Sequence, residues 1–118
     1  MIKQPNHQPN EGLELLYTKD CKAWSQTLAN IKQALQELNL TEEIKTVLIN
    51  TLIEAKQYNF FASPTVHING QDIDPAARRS RKIGLGYGRP YFYNQASHSH
   101  PSVEQIIKAL QELYFGKT

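Results

Sequence analysis

Asn69-Gly70, set between two strand-like runs, constrains this chain more than any other feature. Both residues accept the positive φ of a type I′ turn, so the pair predicts an antiparallel hairpin. Its arms are Thr65-Val66-His67-Ile68 and Gln71-Asp72-Ile73, headed by Ser63-Pro64. Upstream, Gly12 to Tyr17 reads as a strand with Leu13, Leu15 and Tyr17 on one face and Leu16 adding apolar surface to the other, as a strand covered on both sides needs.

The rest of the framework is helical and strand periodicity. Asp20 is placed to N-cap a helix on which Trp24, Leu28, Ile31, Leu35 and Leu38 form one apolar stripe. Asn39, tolerant of the left-handed conformation, stands at its end. Ile44 to Asn50 reads as a second strand, and Thr51 to Asn59 as a short helix carrying Leu52, Ile53 and Ala55. Ser102 with Gln105 makes a capping box for a last helix, whose stripe is Val103, Ile106, Ile107, Leu110 and Leu113. The order β-α-β-α-β-β-α predicts an α/β fold: a mixed sheet with helices on both faces. Residues 74–101 interrupt it as an irregular basic loop, with Arg89 to Tyr93 as an edge strand. Residues 1–10, with two prolines and four Asn or Gln, are expected to be a disordered leader to one domain over 11–118.

Composition narrows the function classes. A net charge of +2 makes no case for nucleic acid, and no apolar run approaches a membrane span. The N-terminal residues, with Lys3 their only charge, do not form a secretory signal. A single cysteine rules out an internal disulfide and suits a reducing compartment, so a cytoplasmic domain is expected.

That cysteine, Cys21, follows the first strand at the expected entry to a helix. Free amides and the positive end of the helix dipole favour thiolate there, and Lys19 and Lys22 add to the effect while Asp20 opposes it. The alternative is a small buried hydrophobe. Trp24 stands where a resolving cysteine would, three residues on. A lone thiol exchanges with a disulfide but cannot resolve its own mixed disulfide.

A thiol at the first strand-to-helix turn, Ser63-Pro64-Thr65 before the hairpin, and this element order together resemble the thioredoxin/glutaredoxin superfamily. The stretch Pro64 to Ile73 looks like the glutaredoxin segment that starts at a cis-proline. More narrowly, Leu13-Glu14-Leu15-Leu16-Tyr17, Ser-Pro-Thr and Asn69-Gly70-Gln71-Asp72-Ile73-Asp74-Pro75 resemble small bacterial thioredoxin-like proteins of unsettled role. The resemblance covers about residues 12–75 and 102–114. It implies a cis Pro64 facing Cys21, with Cys21 catalytic and Lys19, Trp24, Ser63, Pro64 and Thr65 around the substrate. It also implies a thiol- or disulfide-bearing small molecule or protein as partner, glutathione among them, and no resident cofactor. Two departures stand out: Cys21-Lys22-Ala23-Trp24 replaces C-x-x-C, and Asp74-Pro75 stands near the place of the second glycine pair that helps glutaredoxins hold glutathione. The function expected is therefore monothiol exchange at most, with a non-catalytic binding module as the rival.

Three further features carry alternatives. Arg78, Arg79, Arg81, Lys82 and Arg89 lie in a stretch without acids from Pro75 to Val103, with Tyr87, Tyr91, Phe92 and Tyr93 among them. They suit a carboxylate or phosphate, or single-stranded nucleic acid, unless they form a solvated loop. Trp24 is either core packing at the head of its stripe or an aromatic platform beside the thiol. His98 and His100, with Cys21, would supply three ligands for zinc or copper, although no metal motif accompanies them.

Overall fold

Asn69 and Gly70 have φ of +51° and +82° in the computed structural model, which describes residues 8–115. They join β4 (Thr65–Ile68) to β5 (Gln71–Asp72), antiparallel, with Ile68 opposite Gln71 and His67 opposite Asp72. Asn69 also ties the turn to the chain start: its N–H donates to the Gly12 carbonyl, and its Oδ1 accepts from the Gly12 N–H.

β1 (Leu13–Tyr17) lies at the centre of the main sheet. It runs parallel to β2 (Ile44–Leu48) and antiparallel to β4, giving the order β2-β1-β4-β5. Alternation on β1 divides the interior in two. Leu13 and Leu15 join Ile31, Leu35, Val66, Ile68, Ile106 and Leu110 in the larger core, under α1 (Trp24–Glu37) and α3 (Val103–Leu110). Leu16 packs on the other face with Ile49, Ala55 and Phe60, beneath α2 (Leu52–Gln57). Helices thus cover both faces of a mixed sheet.

Both longer connections close with asparagine. Asn39 (φ +56°) follows α1, and the Leu40 N–H returns to the Leu35 carbonyl at 2.9 Å. Asn59 (φ +54°) follows α2, with the Phe60 N–H on the Ala55 carbonyl at 2.8 Å. Each is a Schellman closure that satisfies orphan carbonyls. Thr51 and Glu54 form a capping box at the start of α2, and Ser102 and Gln105 form the one expected at α3. After Leu110 the chain continues as a π-helical turn, Gln111–Phe115.

The start of α1 differs from expectation. Ala23, not Asp20, is the N-cap, and no side chain caps the helix. Residues Thr18 to Cys21 instead form a turn, the Cys21 N–H donating to the Thr18 carbonyl at 3.1 Å. Asp20 is thereby held in a turn ahead of the helix rather than at its cap.

The segment expected to be an irregular loop is folded as well. After a 3-10 turn at Pro75–Ala77, β6 (Gly86–Tyr87) pairs in parallel with β3 (Ala62–Ser63). β7 (Tyr91–Tyr93) pairs with β8 (Ala96–His98) across a turn in which Asn94 and Gln95 both have positive φ. The strand expected at 89–93 is therefore not an edge of the main sheet but one arm of a separate hairpin. Of the expected leader, residues 1–7, including His7, lie outside the described residues. Asn10 is bonded, its N–H to Glu14 Oε2 and its Nδ2 to the Gln57 carbonyl. Among the described residues no helix is long and apolar enough to cross a membrane.

Candidate functional site

The end of β1 is fastened to the residue before Pro64: the Thr18 N–H donates to Ser63 Oγ at 3.1 Å. The Ser63–Pro64 peptide bond is cis. The turn that follows Thr18 then delivers Cys21, so the thiol and Pro64 line one cleft of about 310 Å³. Asp20, Lys22, Ala23, Tyr87, Gly88 and Ser99 complete the lining. Cys21 is only 6% exposed and sits two residues ahead of the helix cap, so it faces the cleft from a loop rather than from the first turn of α1.

The other residues expected around substrate divide. Ser63 and Thr65 are buried, and their hydroxyls are committed within the fold. Ser63 Oγ accepts from Thr18; Thr65 Oγ1 donates to the Ala62 carbonyl at 2.6 Å and accepts from Arg89. Trp24 stacks on Tyr17 with ring centroids 4.7 Å apart and packs against the larger core, outside the cleft lining. Its stripe position thus prevails over the platform reading. Lys19 is exposed and also outside the lining; Lys22 is the lysine that borders the cleft.

Behind Pro64 lies a buried polar cluster that the sequence reading did not anticipate. The Arg89 guanidinium grips both oxygens of Asp72 at 2.8 and 2.9 Å and donates to Thr65 Oγ1 at 2.8 Å. It lies over the rings of Phe61 and Tyr91. The Tyr91 hydroxyl donates to the Pro64 carbonyl, and burial drives its phenol well above the ordinary range. His67 lies 3.9 Å from Asp72, and its Nδ1 is buried without a hydrogen-bond partner. Burial pushes its pKa down to about 4, Asp72 opposing and Arg89 assisting.

This removes Arg89 from the expected anion-binding set, because its charge is already satisfied by Asp72. Arg78 is committed too, donating to the Asp72 and Ile73 carbonyls and to Glu112. Arg79, Arg81 and Lys82 remain exposed. Five clustered cations in sequence are thus three at the surface.

His98 stacks on Tyr93 at 3.7 Å and stands 6.4 Å, ring to ring, from His100. Among the described residues no group of three or more His, Cys, Asp or Glu is placed to hold a metal, so His98, His100 and Cys21 are not assembled into one site.

What the arrangement offers chemically is one thiol and a cis-proline in one cleft, with Lys22 and Asp20 among its lining. Tyr87, Gly88 and Ser99 come from a segment whose position depends on pairing with distant residues, so no local signal marked them. No protein-family model, curated protein or solved structure matches the chain.

Proposed function

We propose that this is a thioredoxin-like protein in which Cys21 performs monothiol thiol–disulfide exchange. The shared cleft of Cys21 and cis Pro64 is the observation that carries the reading. The order β2-β1-β4-β5, with β4 antiparallel to β1, supports it further. The Cys21 thiolate attacks one sulfur of a disulfide R–S–S–R′, forming Cys21–S–S–R and expelling R′–S⁻, which takes a proton from water. An external low-molecular-weight thiol, glutathione being one, then attacks the R sulfur as thiolate. That step forms a new disulfide with R and returns Cys21 as thiolate. A reducing, cytoplasmic setting suits such a thiol.

The burial of Cys21 favours a second reading, a binding module that retains the fold without exchange. Incubating the protein with a small symmetric disulfide and weighing the product distinguishes the two. Exchange requires a rapid adduct on Cys21 that a free thiol reverses and that Cys21→Ser abolishes. A thiol that stays unmodified would leave only the binding module.

A further inference from the structure

The strand edge in front of Pro64 is already occupied by the chain itself. The Gly84 N–H donates to the Phe60 carbonyl at 3.1 Å, and the Gly86 N–H to the Phe61 carbonyl at 3.0 Å. The Arg89 N–H donates to the Ser63 carbonyl at 2.9 Å, and the Tyr91 hydroxyl to that of Pro64. β6 completes this as a parallel partner of β3. An extended polypeptide docks on a protein by adding a strand to an edge with free backbone groups. Here four carbonyl acceptors at and before the proline, those of Phe60, Phe61, Ser63 and Pro64, are taken.

The segment is shaped for that position. A Cβ on Gly86 would come within 3.1 Å of the Phe61 carbonyl oxygen and 3.2 Å of Ala62 Cβ, so a side chain there would press the segment and the edge apart by a few tenths of an ångström. Gly88, at φ +73°, turns the chain from Tyr87 into Arg89. Arg89 is the anchor, its guanidinium buried on Asp72 and Thr65. Lifting the segment off the edge would pull a charged pair apart in the interior, which makes it a permanent wall rather than a door. On its outer side Tyr87 and Gly88 line the cleft with Cys21, and the 64%-exposed Tyr87 stands at the boundary with solvent.

We infer that residues 84–89 determine the specificity of the thiol site, admitting compact disulfides to Cys21 and excluding extended polypeptides. The inference rests on the exchange reading above and adds the substrate class. A cleft of about 310 Å³ is at the small end for organic ligands. Its lining carries one lysine and one aspartate, so no strong net charge is selected.

The test compares two disulfides with the same leaving group on the full chain. One is 5,5′-dithiobis(2-nitrobenzoate). The other is an unstructured peptide whose single cysteine is linked to 2-nitro-5-thiobenzoate. Release of the coloured thiolate gives both rates. The wild-type protein is expected to prefer the compact reagent by on the order of tenfold or more. Gly86→Val, whose side chain would press against the Phe61 carbonyl and Ala62, is expected to raise the ratio of peptide to compact rate by a similar factor. Amide hydrogen exchange of the wild-type chain supplies a readout that does not depend on the variant folding. Gly84, Gly86 and Arg89 should be protected as well as β4. Rapid exchange at those amides, or equal wild-type rates for peptide and compact reagent, would overturn the specificity role and leave exchange at Cys21 intact. A thiol inert to both reagents in the wild type and in a folded Gly86→Val would overturn the exchange reading, and the substrate class with it.

Discussion

Asp72 and Arg89 show how a charged side chain can look like surface in a sequence and be core in the fold. Both terminal guanidinium nitrogens are engaged, and the pair is nearly excluded from solvent. Asp72→Ala is therefore expected to cost about 3–5 kcal/mol in urea unfolding, since it leaves a buried cation unpaired. Replacing both, as Asp72→Leu with Arg89→Met, should recover much of that loss. His67 adds a pH dependence. Folded, it takes up a proton only near pH 4; unfolded, near its ordinary 6.5. Between those values the unfolded chain holds more protons, so stability falls as pH drops from 6.5 toward 4, by up to roughly 3 kcal/mol from this group. Stability measured across that window should slope less in His67→Leu than in the wild type. Nothing near Arg89 in sequence foretold its role, because its neighbours are glycine, tyrosine and proline and its partner lies on the hairpin. Cys21 and Pro64, by contrast, were legible as a pair through the resemblance, which sets a thiol at the first strand-to-helix turn against a proline ahead of the hairpin.

At the scale of elements, caps and turns were the readable parts wherever the bonding is local. Asn69-Gly70, Asn39 and the Ser102–Gln105 box all act within a few residues, so the sequence contains both partners. The Thr51–Glu54 box carried the same signal and was missed. The start of α1 lies later than expected because a turn from Thr18 takes the Cys21 amide ahead of the helix. β6 was invisible since Gly86-Tyr87 has no strand pattern, and only its pairing with Ala62-Ser63 makes it one. Ser102→Ala is expected to lower stability by about 1 kcal/mol in thermal or urea melts, through loss of the bond to the Gln105 N–H. Thr51→Ala should cost a similar amount, and a measured change near zero for either would show that the box contributes little.

For the molecule as a whole, the sheet and its two cores set what one thiol can accomplish. Cys21 is the chain's only sulfhydryl, so a mixed disulfide formed there has no internal exit. The purified protein is accordingly expected to leave insulin disulfides intact, scored by turbidity, unless a second thiol protein is supplied. The central position of β1 has a temporal consequence as well. Cys21 is synthesised early, but the residues that enclose it arrive late: Pro64, then Tyr87, Gly88 and Ser99. At roughly 5–20 residues per second, the growing chain presents a naked sulfur for several seconds before its far wall exists. For that interval the nascent chain is open to the extended polypeptide disulfides that the inferred wall of the finished cleft excludes.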